Sequence, residues 1–596
     1  VTGDRFRHIL PFGAELVPDG TTRFRLWAPV AKQVAVVFAD GREVPMAAEE
    51  DGWFAVTTAA PAGTRYRYRV APDLLVPDPA SRCQDGDVGG WSVVIDAHAY
   101  RWGDGAWRGR PWHETVLYEL HPGLFGGFRG LVDHLPRLAA LGITAVELMP
   151  VADFAGTRNW GYDGVLPFAP DEAYGTPDEL KALVDAAHGH GLMIFLDVVY
   201  NHFGPEGNWL HTYAAPFFAE GHQTPWGAAI DFAKAPVRDL FIENAIHWLV
   251  EYRMDGLRFD AVHAIEASPG ENMLVEMAQR IRIAGGPDRD VHLVLEHDDN
   301  IARHLENDLY DAQWNDDAHH CLHALLTGEA DGYYADYADA PAAKLARCLA
   351  QGFAYQGEPS MHRDGTLRGE PSAHLPPTAF VQFLQNHDQI GNRAMGDRLD
   401  ALVSPAAMAA ARALLLLCPQ VPMLFMGEEW GCRTPFLYFT DFTGPLAEAV
   451  RDGRRREFGR FAAFSSQAAQ AAIPDPNDPA TFEASRPDPA TADGEAILAR
   501  ITALLALRHA EITPRLPGAL ALGADAIGPK AVRASWRMGD GRVLRVLSNF
   551  GAEPVRVSRD AGPPFQATPP EAQSAVARGT LPGYATVWFL DGGPAA

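Results

Sequence analysis

Residues 177–202 read PDELKALVDAAHGHGLMIFLDVVYNH. Apolar residues at helical spacing run through 177–191, and a short apolar strand at 193–198 follows without a long loop. The strand closes on polar groups, Asp197, Asn201 and His202. A helix feeding an apolar strand that ends in polar residues is one unit of a parallel sheet, which is apolar along its length because both faces are covered.

Working outward, the same texture extends from about 112 to 430. Strands are predicted at 116–121, 145–149, 193–198, 256–260, 292–295, 312–314, 380–384 and 423–426, with helical stretches such as 131–141 and 237–252 between them. Eight such units in order predict a closed (β/α)8 TIM barrel rather than an open sheet. Residues 1–95 differ. Segments at 22–27, 33–38, 52–56 and 64–70 alternate with period two between Pro, Gly and Asp, which predicts an immunoglobulin-like β-sandwich. The barrel is assigned to 96–490, with an inserted loop subdomain at about 201–235. Residues 491–596 are assigned to a linker helix at 495–508 and a C-terminal antiparallel β domain with strands at 531–536, 543–548, 555–557 and 584–589. The chain is thus predicted to be multidomain.

Composition excludes several functions. With 50 Lys+Arg against 76 Asp+Glu the net charge is −26, which repels nucleic acid and anionic membranes. The one basic run, Arg454–Arg456, is followed by Glu457 and reads as a solvated helix face. Five scattered cysteines form neither a disulfide framework nor a zinc motif and fit a reducing compartment. The N-terminus shows no secretory pattern, and no run of about 18 apolar residues occurs. A cytoplasmic protein without membrane or nucleic-acid partners is expected. His319 and His323 stand four apart but without an H-E-x-x-H pattern, so no metal and no cofactor are expected.

The chemistry of a TIM barrel sits at the C-terminal ends of its strands. Asp260 ends the fourth strand, Glu296 the fifth, and Asn386-His387-Asp388 the seventh, accompanied by His202 and Arg258. Any one of these acids alone also fits a helix N-cap; three converging on one barrel mouth do not. Glycoside cleavage needs one ionised carboxylate and one protonated carboxyl flanking the scissile bond. Adjacent strands lie roughly 5 Å apart, which resembles the separation of a retaining pair. Arg258 shares a strand face with Asp260 and keeps it ionised, while the field of Asp260 and Asp388 raises the pKa of Glu296.

At these residues the chain resembles glycoside hydrolase family 13, the α-amylase family. The match is carried by 197–202 (DVVYNH), 256–263 (GLRFDAVH), Glu296 and 386–388 (NHD). The resemblance implies Asp260 as nucleophile, Glu296 as general acid/base and Asp388 as transition-state stabiliser. It places His202, Arg258 and His387 around the sugar being cleaved, with Asn201 and His263 in the same motifs. In 159–163 (NWGYD) it makes Tyr162 a stacking platform beside Trp160 and Asp163, though core packing also fits the two aromatics. The stretches 256–265 (GLRFDAVHAI), 296–300 (EHDDN), 314–320 (WNDDAHH), 332–337 (GYYADY), 385–393 (QNHDQIGNR) and 426–431 (MGEEWG) are similar to members that cut beside a terminal trehalose unit. That similarity implies maltooligosyltrehalose as substrate, maltooligosaccharide as a product, and a functional link to the enzyme that forms the capped substrate. A glucan branching transferase, or another α-1,4-glucan hydrolase of the family, is the alternative. Asp298, Asn315, Asp316 and Asp317 are candidate trehalose contacts, since paired acids and amides suit a hydroxyl-rich sugar; solvated loop acids are the alternative. His297 and Pro122 depart from the family pattern.

Overall fold

Eight parallel strands close on themselves in chain order: Leu117–Leu120, Ala145–Leu148, Met193–Val198, Gly256–Phe259, His292–Leu295, Ala312–Trp314, Phe380–Phe383 and Val421–Phe425. They are seen in a computed structural model that describes residues 6–224, 227–270, 272–458, 466–559 and 562–592. The strands agree with those predicted to within a residue, apart from the eighth, which begins two residues early. Pro422 argues against a strand there, yet it sits in register with Gln382.

Each strand fills the barrel with alternate residues. Leu117, Ala145, Met193, Phe195, Val294, Trp314, Phe383 and Met423 belong to one buried cluster, with Trp107 and Trp112 packed against it. Gly256 is required here, because a Cβ would approach the Phe195 ring to 2.6 Å. Toward the C-terminal ends the interior turns polar: Glu119 pairs in register with Glu147, and Asp197 with Arg258, all of them buried. The helices outside follow local rules. Pro177–Gly189 starts on a capping box between Thr176 and Glu179 and turns Leu180, Leu183, Val184 and Ala187 inward.

Before the barrel lie a four-stranded and a six-stranded antiparallel sheet. Along Thr21–Trp27, Thr22, Phe24 and Leu26 face the core while Arg23, Arg25 and Trp27 remain half-buried. The strands Gly13–Leu16 and Leu74–Val76 were not predicted. After the barrel comes a helix, Gly494–Leu507, and a five-stranded antiparallel sheet. Its first strand, Leu520–Gly528, was also not predicted, because its Ala- and Gly-rich sequence holds Ile527 as its one β-branched residue and no aromatic. The segment predicted at 555–557 lies outside this sheet; Val555–Arg556 pairs with Thr580–Leu581 instead. Stacked Trp536 and Trp588 tie the sheet to the barrel, donating to the carbonyls of Leu349 and Ala413 at 3.1 and 2.9 Å.

Two excursions shape the barrel mouth. The insertion after the third strand carries the hairpin Phe218–Thr224 and Gly227–Ile230. Within the segments assigned from sequence, residues 1–5, 225–226, 271, 459–465, 560–561 and 593–596 lie outside the described residues. The excursion between the sixth and seventh strands is longer and was not singled out. It holds the helices Asp316–Thr327 and Pro341–Gln351 and the hairpin Glu358–Ser360 with Thr366–Arg368. Arg454 corrects the reading of its run as a solvated face: its guanidinium stacks 5.2 Å from the Tyr438 ring and donates to the carbonyls of Gly391 and Arg393. Among the described residues no helix is long and apolar enough to cross a membrane.

Candidate active site

A cleft of about 620 Å3 opens at the C-terminal ends of the strands. At its base one guanidinium organises the acids. Arg258 Nη1 lies 2.7 Å from Asp197 Oδ2 and 2.8 Å from Asp260 Oδ1, and Nη2 lies 2.9 Å from Glu296 Oε2. The cation is fully buried, with its Cζ over the Trp314 ring 4.2 Å from the centroid, so its charge is little screened.

Asp260 and Glu296 share this cation but differ in environment. Burial works against the charge on Asp260. The Arg258 charge, the nearby His202 and a 2.8 Å hydrogen bond donated by Asn201 Nδ2 outweigh it and hold the carboxyl below its usual range. Burial pushes Glu296 well above the carboxylate range; Arg258 opposes this, while Asp260, Asp388 and Asp316 add to it. Ala261, in a left-handed conformation (φ 42°), aims its N–H at Glu296 Oε2 at 2.7 Å. With that oxygen accepting the Ala261 N–H and lying against the Arg258 charge, the proton belongs on Oε1. An ionised carboxylate and a protonated carboxyl on two prongs of one guanidinium are what a double displacement at an anomeric carbon needs.

The walls come from several strand ends. Tyr162 stacks on His387 at 4.9 Å and 22° and donates to Asp197 at 2.5 Å. Asp388 accepts from Asn392 at 3.2 Å and lies 3.5 Å from His387 Nε2. Asp163 is held by Asn159 at 2.7 Å. On the Glu296 side, Asp316 accepts from Gln389 at 3.1 Å, and burial among acids pushes its carboxyl to about 7.

Comparison with known proteins shows the family. Residues 80–217 match the α-amylase catalytic domain family, 11–99 carbohydrate-binding module 48 (the isoamylase N-terminal domain), and 519–588 a domain of unknown function, DUF3459. A solved structure from Salmonella typhimurium, assigned to the α-amylases, superposes with a TM-score of 0.91 at 44% identity, covering 98% of this chain and 100% of that one. A malto-oligosyltrehalose trehalohydrolase from Deinococcus radiodurans is 40% identical over 79% of this chain and 78% of its own length. One from Arthrobacter ramosus is 39% identical over 96% of this chain and 99% of its own length. The chain belongs to the malto-oligosyltrehalose trehalohydrolase family.

The residues singled out from sequence sort into three groups. Asp260, Glu296, Asp388, Tyr162, Trp160, Asp163, His202, His263, His387, Asp298 and Asp316 line the cleft. Trp160 does so from beneath, stacked on Phe436 at 5.1 Å and donating to the Leu437 carbonyl. Arg258 and Asn201 lie under the floor and act on Asp260 from below. Asn315 and Asp317 do not reach the cleft, and their reading as sugar contacts is corrected. Asn315 is the N-cap of the helix Asp316–Thr327: Oδ1 accepts from Ala318 N at 3.2 Å and Nδ2 donates to the Gly352 carbonyl at 2.8 Å. Asp317, fully buried, accepts from the backbones of Ala354 and Tyr355 and pairs with Arg368 at 2.9 Å. Replacing Asn315 with alanine is therefore expected to lower stability by about 1–2 kcal/mol while leaving kcat/KM within about twofold of wild type. Thermal melts beside steady-state kinetics decide this; a kinetic loss without a melting shift restores Asn315 as a sugar contact.

Other cleft residues were given no role from the sequence. Tyr333 and Tyr337 belong to the quoted stretch 332–337, whereas His362, Arg363 and Arg368, also in the long excursion, and Tyr438, beyond the eighth strand, lie in no quoted motif. Arg363 pairs with Asp298 and Asp299, so Asp298, which stays exposed as a loop acid, faces the cleft with a cation beside it. The departure at His297 has a structural explanation. Among the described residues, the ligand atoms of Glu266, His297 and His304 lie close enough to hold a cation. However, His297 Nδ1 accepts from the Asp299 backbone at 3.2 Å, which puts the ring proton on Nε2, where it bonds Glu266 at 2.8 Å. His304 reaches the other carboxylate oxygen at 2.7 Å. The group does not fit a cation; it pins the segment after Glu296 to the helix Val262–Glu266. Pro122, the other departure, opens a 3-10 turn, Pro122–Phe125.

Proposed function

We propose that the chain hydrolyses the α-1,4 bond beside the terminal trehalose of maltooligosyltrehalose, releasing trehalose and a maltooligosaccharide with retention at the anomeric carbon. The observation that carries the reading is the pairing of Asp260 and Glu296 on Arg258, in a chain that matches a trehalohydrolase over 99% of that relative's length. Asp260 attacks the anomeric carbon while the Glu296 Oε1 proton passes to the glycosidic oxygen, and trehalose leaves with that proton. Glu296, now a carboxylate, takes a proton from water. The water oxygen displaces Asp260, and the maltooligosaccharide departs. Asp388 and His387 stand beside the oxocarbenium-like transition state, and Tyr162 under the sugar face. Trehalose, as leaving group, lies on the Glu296 side, against Asp298, Asp316, Tyr333, Tyr337, Arg363 and Arg368.

A trehalose-ended substrate has to be made by another enzyme, so a functional link to a maltooligosyltrehalose-forming activity is part of the proposal. Action in the cytoplasm is another part, supported by five cysteines that are all free thiols. Chromatography of products from maltohexaose and from a trehalose-capped maltooligosaccharide of similar length tests the reading. Trehalose released from the capped substrate, much faster than any cleavage of maltohexaose, is expected. Equal cleavage of both overturns the trehalose assignment, and new α-1,6 branches without new reducing ends replace the hydrolase with a transferase.

A further inference from the structure

The first barrel strand carries an acid that the steps above leave unused. Glu119 is 1% exposed, in a strand whose other residues are Leu117, Tyr118 and Leu120. Burying a carboxylate in such a strand is costly unless its bonds repay the lost hydration. Those bonds run past the eighth strand to the start of the helix His387–Gly391, which follows the seventh. Glu119 Oε1 lies 2.5 Å from His387 Nδ1, and Oε2 accepts the His387 backbone N–H at 3.2 Å. One carboxylate thus holds both the ring and the main chain of the same residue. Tyr162 covers the face of that ring, Trp160 meets it edge-on at 5.6 Å, and Nε2 is left toward Asp388.

We infer that Glu119 is a positioning residue: it holds His387 as an imidazolium with Nε2–H directed into the cleft and, through the main chain, sets the place of Asp388. A neutral ring offers one N–H, and with that proton on Nδ1 it turns a bare nitrogen toward the substrate; the doubly protonated ring donates on both sides. Burial disfavours that charge, but Asp388 and Glu119 together lift the ring to about 9. The other groups facing the ring are Glu147, Asp197 and Asp260 on the acidic side and Arg258 and His121 on the basic side. Glu147 adds little charge, since burial beside Glu119 and Asp197 pushes it well above the carboxylate range.

A double-mutant cycle separates this role from a merely structural one. Glu119→Gln is expected to lower kcat at least about tenfold in the wild-type background and less than about twofold in a His387→Gln background, because its effect passes through that ring. An equal loss in both backgrounds, or none in the wild type, overturns the inference. If the Glu119 variant does not fold, the ring is read directly in wild-type protein with 15N-labelled histidine, assigned by His387→Gln. Both ring nitrogens are expected to be protonated at pH 8, and a neutral ring at pH 7 refutes the role. The cycle rests on the proposed hydrolysis for its assay, whereas the ring titration does not, so a failure of that reading leaves the second measurement standing.

Discussion

Asp260→Asn is expected to abolish turnover on the trehalose-capped substrate, with kcat falling by about four orders of magnitude or more. The amide keeps the shape of the side chain but not its negative charge, and it is far too weak a nucleophile to form a glycosyl ester. The fold survives, because Arg258 keeps Asp197 and Glu296 as partners at 2.7 and 2.9 Å. Circular dichroism should therefore be unchanged while single-turnover kinetics lose the glycosyl-enzyme. A variant retaining a tenth of wild-type activity would remove Asp260 from the mechanism. The charge also sets the acidic side of the rate profile: Asp260 is depressed in the folded protein, so activity is present above that depressed value and is lost as pH falls through it.

The second large effect is at Glu296. Glu296→Gln should lower kcat on the natural substrate by about three orders of magnitude, within the span attributed to positioned proton donors. A trehalose leaving group departs poorly without a proton, whereas glycosyl fluoride needs none. The first displacement of the variant on maltosyl fluoride should stay within about tenfold of wild type. Glu296 is raised, so the wild-type enzyme holds its catalytic proton above the usual carboxylate range and loses activity as pH rises through the raised value. The variant's fluoride reaction should lack that alkaline decline. Equal losses on both substrates would mean that the residue positions sugar rather than delivering a proton.

Much of this was readable from the chain because barrel strands are written as apolar runs that end in acids. Asp260, Glu296 and Asp388 announced themselves by ending strands. What stayed hidden depends on direction and reach. In 315–317, three polar residues in a row, the sequence gives no reason to separate one from another. The helix start does: Asn315 becomes the cap, Asp316 faces the cleft, and Asp317 turns toward backbone N–H groups. Arg363 and Arg368 reach the cleft from a hairpin without strong periodicity, and long flexible side chains leave no spacing to read. Glu119 did have a signal that went unused, a charge inside an otherwise apolar strand, which is rarely tolerated without a partner.

The guanidinium of Arg258 has a consequence for how such an enzyme can change over generations. Because one cation touches both Asp260 and Glu296, the proposed attacking and proton-donating groups, a substitution that strengthens its hold on either alters the other. The two edges of the pH window are therefore not separate traits, and selection for a more acidic or more alkaline habitat cannot shift one at this residue without shifting the other. The freedom lies further out. Asp316 acts on Glu296 without touching Arg258, so adaptation to a new pH is open to the rim of the cleft while its floor is frozen.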